Sequence, residues 1–308
     1  MFTPVIISQV LLYISALVTV GFTIYKFYNK KISKKTFLVF VFYSVIMCLY
    51  GISFIFYNPF LQYSPLHIIS IVFFIYSGFI LLYVKKHRKA IMWGIFAFYV
   101  LFNLLRIPYL WIYEGYTIYS ILPLHICGIS GLFMIARPFY LRGKSRFTKT
   151  LSKLLDNYLV CFAFLGALIN VFFPPSHGFD LDFFNLRTFV SNVLHWSFFT
   201  VSIYYLLSGE IKPNKKMAIM NLFWLVPAYI MFIFLNSFFA SNFFFTNSTG
   251  NPILFLFNLF PMWEWSLGNS IIEVNPIYWA TVLGASILIL FLITFLYELI
   301  DKIFVAKK

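Results

Sequence analysis

Charge is what this sequence has least of. Only 10% of its 308 residues are Asp, Glu, Lys or Arg, and nine of them are acidic. An ordinary soluble domain carries roughly a quarter charged residues, so that class is excluded. Cysteine is scarce as well, and Cys48, Cys127 and Cys161 all lie inside apolar runs. That placement argues against a disulfide framework or a thiolate metal cluster, which need paired, accessible thiols. Neither an internal repeat nor a soluble domain stands out. The first apolar segment is too long and too lightly flanked for a cleaved signal peptide, and no lipidation motif is evident.

What is abundant is apolar surface. Hydrophobic residues make up 62% of the chain and the mean hydropathy is +0.89. Crossing a hydrocarbon core of about 30 Å takes roughly 20 apolar residues in a helix. Runs of that kind fall at 5–25, 36–57, 66–84, 90–112, 120–136, 154–173, 187–207, 217–237 and 277–299. The expected fold is all-α, a polytopic transmembrane helical bundle of about nine spans. Pro123 suits the first turn of the short fifth span, where its missing N–H would be unpaired anyway.

The net charge of +14 follows topology rather than nucleic acid. The basic residues fall in five clusters: Lys26 to Lys35, Lys85 to Lys89, Arg137 to Lys153, Lys212 to Lys216, and Lys302 to Lys308. Only Arg106 and Arg187 stand outside them. The clusters occupy alternate loops, as the positive-inside rule requires of cytoplasmic segments. Loops between them carry Glu114, Asp180, Asp182, Glu264 and Glu273. An outer N-terminus, a cytoplasmic C-terminus and a plasma-membrane location follow. Segment 238–276 is rich in Asn, Ser, Thr, Gly and Trp, and its apolar piece, Ile253 to Phe260, is too short to cross. It reads as interfacial or re-entrant, with Trp263, Trp265 and Trp279 in the headgroup region. Asn247-Ser248-Thr249 is a glycosylation sequon on the outer side.

With that topology, depth can be assigned at about 1.5 Å per residue. His67, Arg106, His125, Cys127, Asn170, His195 and Asn236 then share the outer-leaflet half, and the cytoplasmic half holds no comparable set. Ionisable groups at such depth are costly and ask for a purpose. Read singly, most have plain roles. His67 can be interfacial, Arg106 can snorkel or pair with Glu114, and Asn170 and Asn236 can bond between helices. Cys127 alone would be a small hydrophobe, which is the reading for Cys48 and Cys161. His195 sits deepest and has no charge partner nearby in the chain.

Three chemistries fit. A thiolate with an imidazole base can attack an ester carbonyl and form a thioester. His125 and Cys127 point about 200° apart on a helix, so the base for Cys127 would come from another helix, and His195 is the choice. Three histidines could instead hold zinc, but no span has a His pair at i, i+4 or an HExxH arrangement. Polar groups could also line a solute path, against which the polar set stops halfway across. No cofactor or metal is called for.

Three segments carry a family resemblance: Ser64-Pro65-Leu66-His67, Leu122-Pro123-Leu124-His125-Ile126-Cys127 and Asn192-Val193-Leu194-His195. Tyr204-Tyr205-Leu206-Leu207-Ser208-Gly209, the Asn-rich segment from Asn242 to Asn251, and Asn275-Pro276-Ile277-Tyr278-Trp279 extend it. The chain resembles the bacterial YwaF-like integral membrane proteins over about 64–299, with 1–58 as two additional helices and 300–308 as a basic tail. That family looks related to eukaryotic transmembrane phospholipid acyltransferases that use a cysteine and a histidine. The resemblance implies that Cys127 carries the acyl group and His195 acts as its base, with His125 beside them. His67, Arg106, Asn170 and Asn236 would line the substrate site. The expected activity is that of a lipid acyltransferase or acyl hydrolase, and the partners are membrane lipids. The alternative is a non-enzymatic protein that binds lipid or transports a small solute.

Overall fold

The computed structural model describes residues 4–56, 65–112, 126–172, 186–239, 263–267, 270–274 and 276–304. Helices account for nearly all of them. In chain order they are α1 (Pro4–Tyr28), α2 (Lys34–Phe56), α3 (Pro65–Tyr83), α4 (Arg88–Ile112), α5 (Ile126–Tyr140), α6 (Arg146–Tyr158), α7 (Phe164–Phe172), α8 (Leu186–Ser208), α9 (Lys215–Phe239) and α10 (Pro276–Phe304). A wide π turn, Leu159–Ala163, joins α6 to α7 without a break. Within the described residues the expected apolar runs fall on these helical stretches, and the protein is an all-α, multi-pass membrane protein. Among the described residues five helices are long and apolar enough to cross a bilayer, and 67–83 and 193–208 are shorter apolar helices.

Local chemistry explains where helices begin and end. In lipid every backbone group must be satisfied within the segment, which favours helices throughout. Ser33 Oγ accepts from Thr36 N–H at the start of α2, Ser145 Oγ from Thr148 N–H at α6, and Asn214 Oδ1 from Met217 N–H at α9. These are N-caps, each satisfying a donor that the first turn leaves orphaned. Pro65 and Pro276 open α3 and α10, where proline loses no hydrogen bond. Gly209, at φ +72°, ends α8 in a left-handed conformation that a side chain would strain.

Two compact units divide the helices. The first comprises Met1–Arg88 and Ala167–Ser208, the second Lys89–Gly166 and Gly209–Lys308. In the first unit α1 packs on α2, α2 on α3, and α3 on α8. Tyr50 stacks on Phe73 at 4.9 Å between centroids, and Trp196 meets Phe74 at 4.8 Å. Gly78 lets α8 come close: a Cβ there would stand 3.0 Å from Ile203 Cγ2 and 3.2 Å from the Thr200 carbonyl oxygen. Thr200 Oγ1 donates to the Phe74 carbonyl at 2.9 Å across the same seam.

In the second unit α5 packs on α6 and the π turn, and α6 packs on α9. Helix α9 in turn meets α10, and the π turn touches α10 as well. Arg142 lies over the Trp93 ring at 5.3 Å, and Trp93 meets Phe139 edge-on, which ties α4 to the end of α5.

Two loop segments hold more structure than expected. Residues 240–262, 268–269 and 275 lie outside the described residues, the apolar piece Ile253 to Phe260 among them, but β1 (Trp263–Leu267) and β2 (Ser270–Val274) pair as an antiparallel ribbon. Its register sets Trp263 opposite Val274 and Leu267 opposite Ser270. That part of 238–276 is therefore a hairpin, and it packs on α9. The basic cluster from Arg137 to Lys153 is not a solvated loop either. Most of it is helix, and Arg137 is buried, with 2% of its surface exposed.

Candidate functional site

Cys127 is the second residue of α5 and is half-buried. Its Sγ fills the space beside Gly166 on α7: a Cβ built on Gly166 would stand 3.2 Å from the sulfur. That is shorter than ordinary van der Waals contact, so a methyl group there would press on the sulfur by a few tenths of an ångström. One turn along α5, Ser130 is fully buried and hydrogen-bonds the phenol of Tyr158, the last residue of α6. The Tyr158 phenol is in turn within electrostatic reach of the Cys127 thiol. Its ring is wedged edge-on against Phe133, at 5.1 Å, and tilted against Phe162, also at 5.1 Å. The thiol therefore sits at the head of a short polar column in an aromatic wall. Cys161, by contrast, is fully buried in the π turn and hydrogen-bonds Thr294 of α10. It fits the packing role expected of it.

The second unit holds two more of the expected residues. Arg106 is half-buried on α4, two residues before Pro108. Asn236, near the end of α9, is fully buried. His125 lies outside the described residues, one residue before α5 begins.

The remaining three belong to the first unit. His67 is fully buried and its Nε2 lies 2.6 Å from the carbonyl oxygen of Val171, at the end of α7. A carbonyl only accepts, so Nε2 carries the proton and the neutral ring keeps its lone pair on Nδ1. Asn170, the residue before that carbonyl, is also buried, and its Oδ1 has no hydrogen-bond partner. The His67 bond thus draws α3 and the Asn170 segment together. His195 stands half-buried on α8, between Leu194 and the buried Trp196, on a helix that packs against α3. Among the described residues, no three His, Cys, Asp or Glu side chains are grouped so as to hold a metal ion.

The sequence reading missed a second polar set in the second unit. Arg137, at the end of α5, donates from Nε to Asp156 Oδ1 at 3.0 Å and from Nη2 to Oδ2 at 3.4 Å. From Nη1 it also reaches Glu210 Oε2 at 3.3 Å. The Tyr140 hydroxyl donates to Asp156 Oδ1 at 2.7 Å. One guanidinium thus serves two carboxylates, all three little exposed. Next to Asp156, Asn157 is 1% exposed, and neither end of its amide has a partner. The helix ends expected to lack buried polar groups therefore hold a dense set of them. Read along the sequence, Arg137 looks like an ordinary member of a basic loop cluster, because its partners lie 19 and 73 residues away.

The sequence profile of the TMEM164 family matches residues 62–297. The chain belongs to the TMEM164 family. Every candidate site residue lies within the TMEM164 match, while α1 and α2 lie before it. No curated protein matches the chain, and neither does any solved structure. TMEM164 membership agrees with the membrane fold, and the chemistry must be argued from the residues themselves.

Proposed function

We propose that this TMEM164 protein is a plasma-membrane lipid acyltransferase or acyl hydrolase of the YwaF-like kind, with Cys127 as nucleophile and His195 as its base. The observation that carries this reading is the seat of Cys127. A half-buried thiol is seated against Gly166 and stands beside the Ser130–Tyr158 hydrogen bond. A lipid ester could approach a sulfur presented this way from the apolar phase. The 64–299 core would hold the site, with the N-terminus outside and the basic clusters cytoplasmic. His125 is assigned to the catalytic set with Cys127 and His195, and His67, Arg106, Asn170 and Asn236 to substrate contact.

The reaction conserves atoms and charge at each step. The imidazole of His195 takes the thiol proton as sulfur attacks the ester carbonyl, giving a tetrahedral oxyanion. Collapse breaks the ester C–O bond, the imidazolium returns the proton to the departing lysolipid oxygen, and the acyl group stays on sulfur as a thioester. An acceptor alcohol, or water in the hydrolase case, then attacks the thioester under the same base and regenerates the thiol. Hydrogen-bond donors near the oxyanion matter more in a low-dielectric site than in water.

Purified protein in vesicles with a fluorescent phospholipid and a lysolipid acceptor tests this. Cys127→Ala and His195→Ala should each abolish transfer by a folded protein, and a hydroxylamine-labile acyl group should map to Cys127. Full activity in Cys127→Ala removes the thioester route. A second reading, solute transport, draws support from the buried Arg137, Asp156 and Asn157 with the half-buried Glu210, which add a second polar set to the one expected in the outer leaflet. Solute flux into vesicles that Asp156→Asn abolishes, with no acyl transfer, would favour it.

A further inference from the structure

Helix α5 runs antiparallel to the stretch from α6 to Gly166, and the contacts along that seam share one register. Cys127 and Arg137 are ten residues apart on one side, and Gly166 and Asp156 are ten apart on the other. Cys127 meets Gly166, Arg137 meets Asp156, and Phe133 with Tyr158 fills the middle. The two outer contacts are about 15 Å from each other along α5. We propose that Arg137, Asp156 and Gly166 are positioning residues: the ion pair fixes the register of the seam, and the register seats the Cys127 thiol against Gly166. This rests on the acyl-transfer reading for its catalytic meaning, though not for its geometry.

Three physical points carry it. A planar guanidinium bonded through two nitrogens to one carboxylate tolerates little sliding, and Glu210 holds the third nitrogen from another element. A slip of one residue would move Cys127 by about 1.5 Å. Misplacement of about 1 Å at a reacting atom can cost about 100-fold in rate. The π turn Leu159–Ala163 lies between Asp156 and Gly166. Such a turn admits an extra residue and so rotates the helix beyond it, and it is frequent at functional sites. It sets the rotational phase at which Gly166 faces the sulfur, given that Asp156 faces Arg137. Gly166 then completes the seat by having no side chain.

The test reads the thiol directly. Full-length protein in phosphatidylcholine vesicles is treated with N-ethylmaleimide, and the modification rate of Cys127 is followed by mass spectrometry. Acyl transfer is measured in parallel for the same variants. Gly166→Ala and Arg137→Lys should each change the Cys127 alkylation rate by about threefold or more. Each should also lower kcat by about tenfold or more while KM stays within about twofold, as expected for loss of geometry rather than of binding. Gly284→Ala, where a Cβ meets nothing within 4 Å, should move neither reading. Unchanged alkylation and unchanged kcat in Gly166→Ala overturn the proposal even if Cys127→Ala is inactive and the acyl reading stands. Altered alkylation in a protein with no acyl transfer, or whose Cys127→Ala variant remains active, upholds the seating and removes the acyl reading.

Discussion

Removing Arg137 should destabilise the protein more than almost any other single charge change. The guanidinium is nearly inaccessible, and it faces two carboxylates whose side chains are 12% and 10% exposed. Arg137→Gln keeps a polar side chain of shorter reach but takes this cation away from both carboxylates. Breaking a buried pair in this way costs about 3–5 kcal/mol, because the partner stays buried and uncompensated. Here two carboxylates lose the same cation, although Tyr140 still donates to Asp156 at 2.7 Å and softens the loss. A cost of about 4 kcal/mol corresponds to a shift of nearly a thousandfold in the folded-to-unfolded ratio. Equilibrium unfolding in mixed micelles, titrated with SDS and followed by tryptophan fluorescence, measures it. The triple variant Arg137→Met, Asp156→Leu, Glu210→Met removes the whole set, and should cost much less than Arg137→Gln alone, since apolar replacement of a buried ion pair is often neutral. Exposed charge provides the contrast. Lys215 Nζ lies 3.8 Å from Glu298 with 65% of its side chain exposed, so Lys215→Ala should cost under about 1 kcal/mol. An Arg137→Gln variant as stable as Lys215→Ala, or a triple variant as unstable as Arg137→Gln, refutes the reasoning.

Two further outcomes can be measured in the same unfolding assay. Gly78→Val drives a side chain into Ile203 and the Thr200 carbonyl across the α3–α8 seam, and should cost about 1–3 kcal/mol by overpacking; unchanged stability would mean that the seam is looser than its distances. Asn157→Leu removes an amide that is buried without partners, and should be neutral or stabilising by up to about 2 kcal/mol; a loss of stability would show that the amide is bonded in the membrane.

The transmembrane helices were legible because apolar length is a property of consecutive residues. The charge clusters were legible as punctuation between them, yet that same reading concealed Arg137, whose sequence neighbourhood is basic and whose partners lie on other elements. The hairpin could have been found. Trp263-Glu264-Trp265-Ser266-Leu267 and Ser270-Ile271-Ile272-Glu273-Val274 flank Gly268-Asn269, a two-residue turn signal between two short strands. The interfacial reading of Trp263 and Trp265 concerned depth, and it left the strand pairing unread. Of the candidate site, the choice of Cys127 came from the sequence, but its seat did not. Nothing local to Gly166 marks it as facing a sulfur 39 positions earlier in the chain. Nor does His67 signal a bond to a carbonyl 104 residues on. Such contacts arise only when helices pack, and a single sequence does not record which faces meet.

The two bonds of Arg137 also differ in when they can form. Asp156 comes 19 residues after it, Glu210 comes 73. During synthesis α5 and α6 therefore emerge almost together, and the arginine can be neutralised while the pair leaves the insertion machinery as a helical hairpin. Its second carboxylate arrives only after α8 has been made, just past Gly209. The nascent chain would pass through a stage in which α5 is held by one carboxylate alone. An Asp156→Ala substitution should then impair insertion of α5 in truncated chains ending before residue 209, where Glu210 cannot compensate. A glycosylation-tag insertion assay on such truncations reads this, and equal insertion with and without Asp156 would show that the arginine needs no early partner.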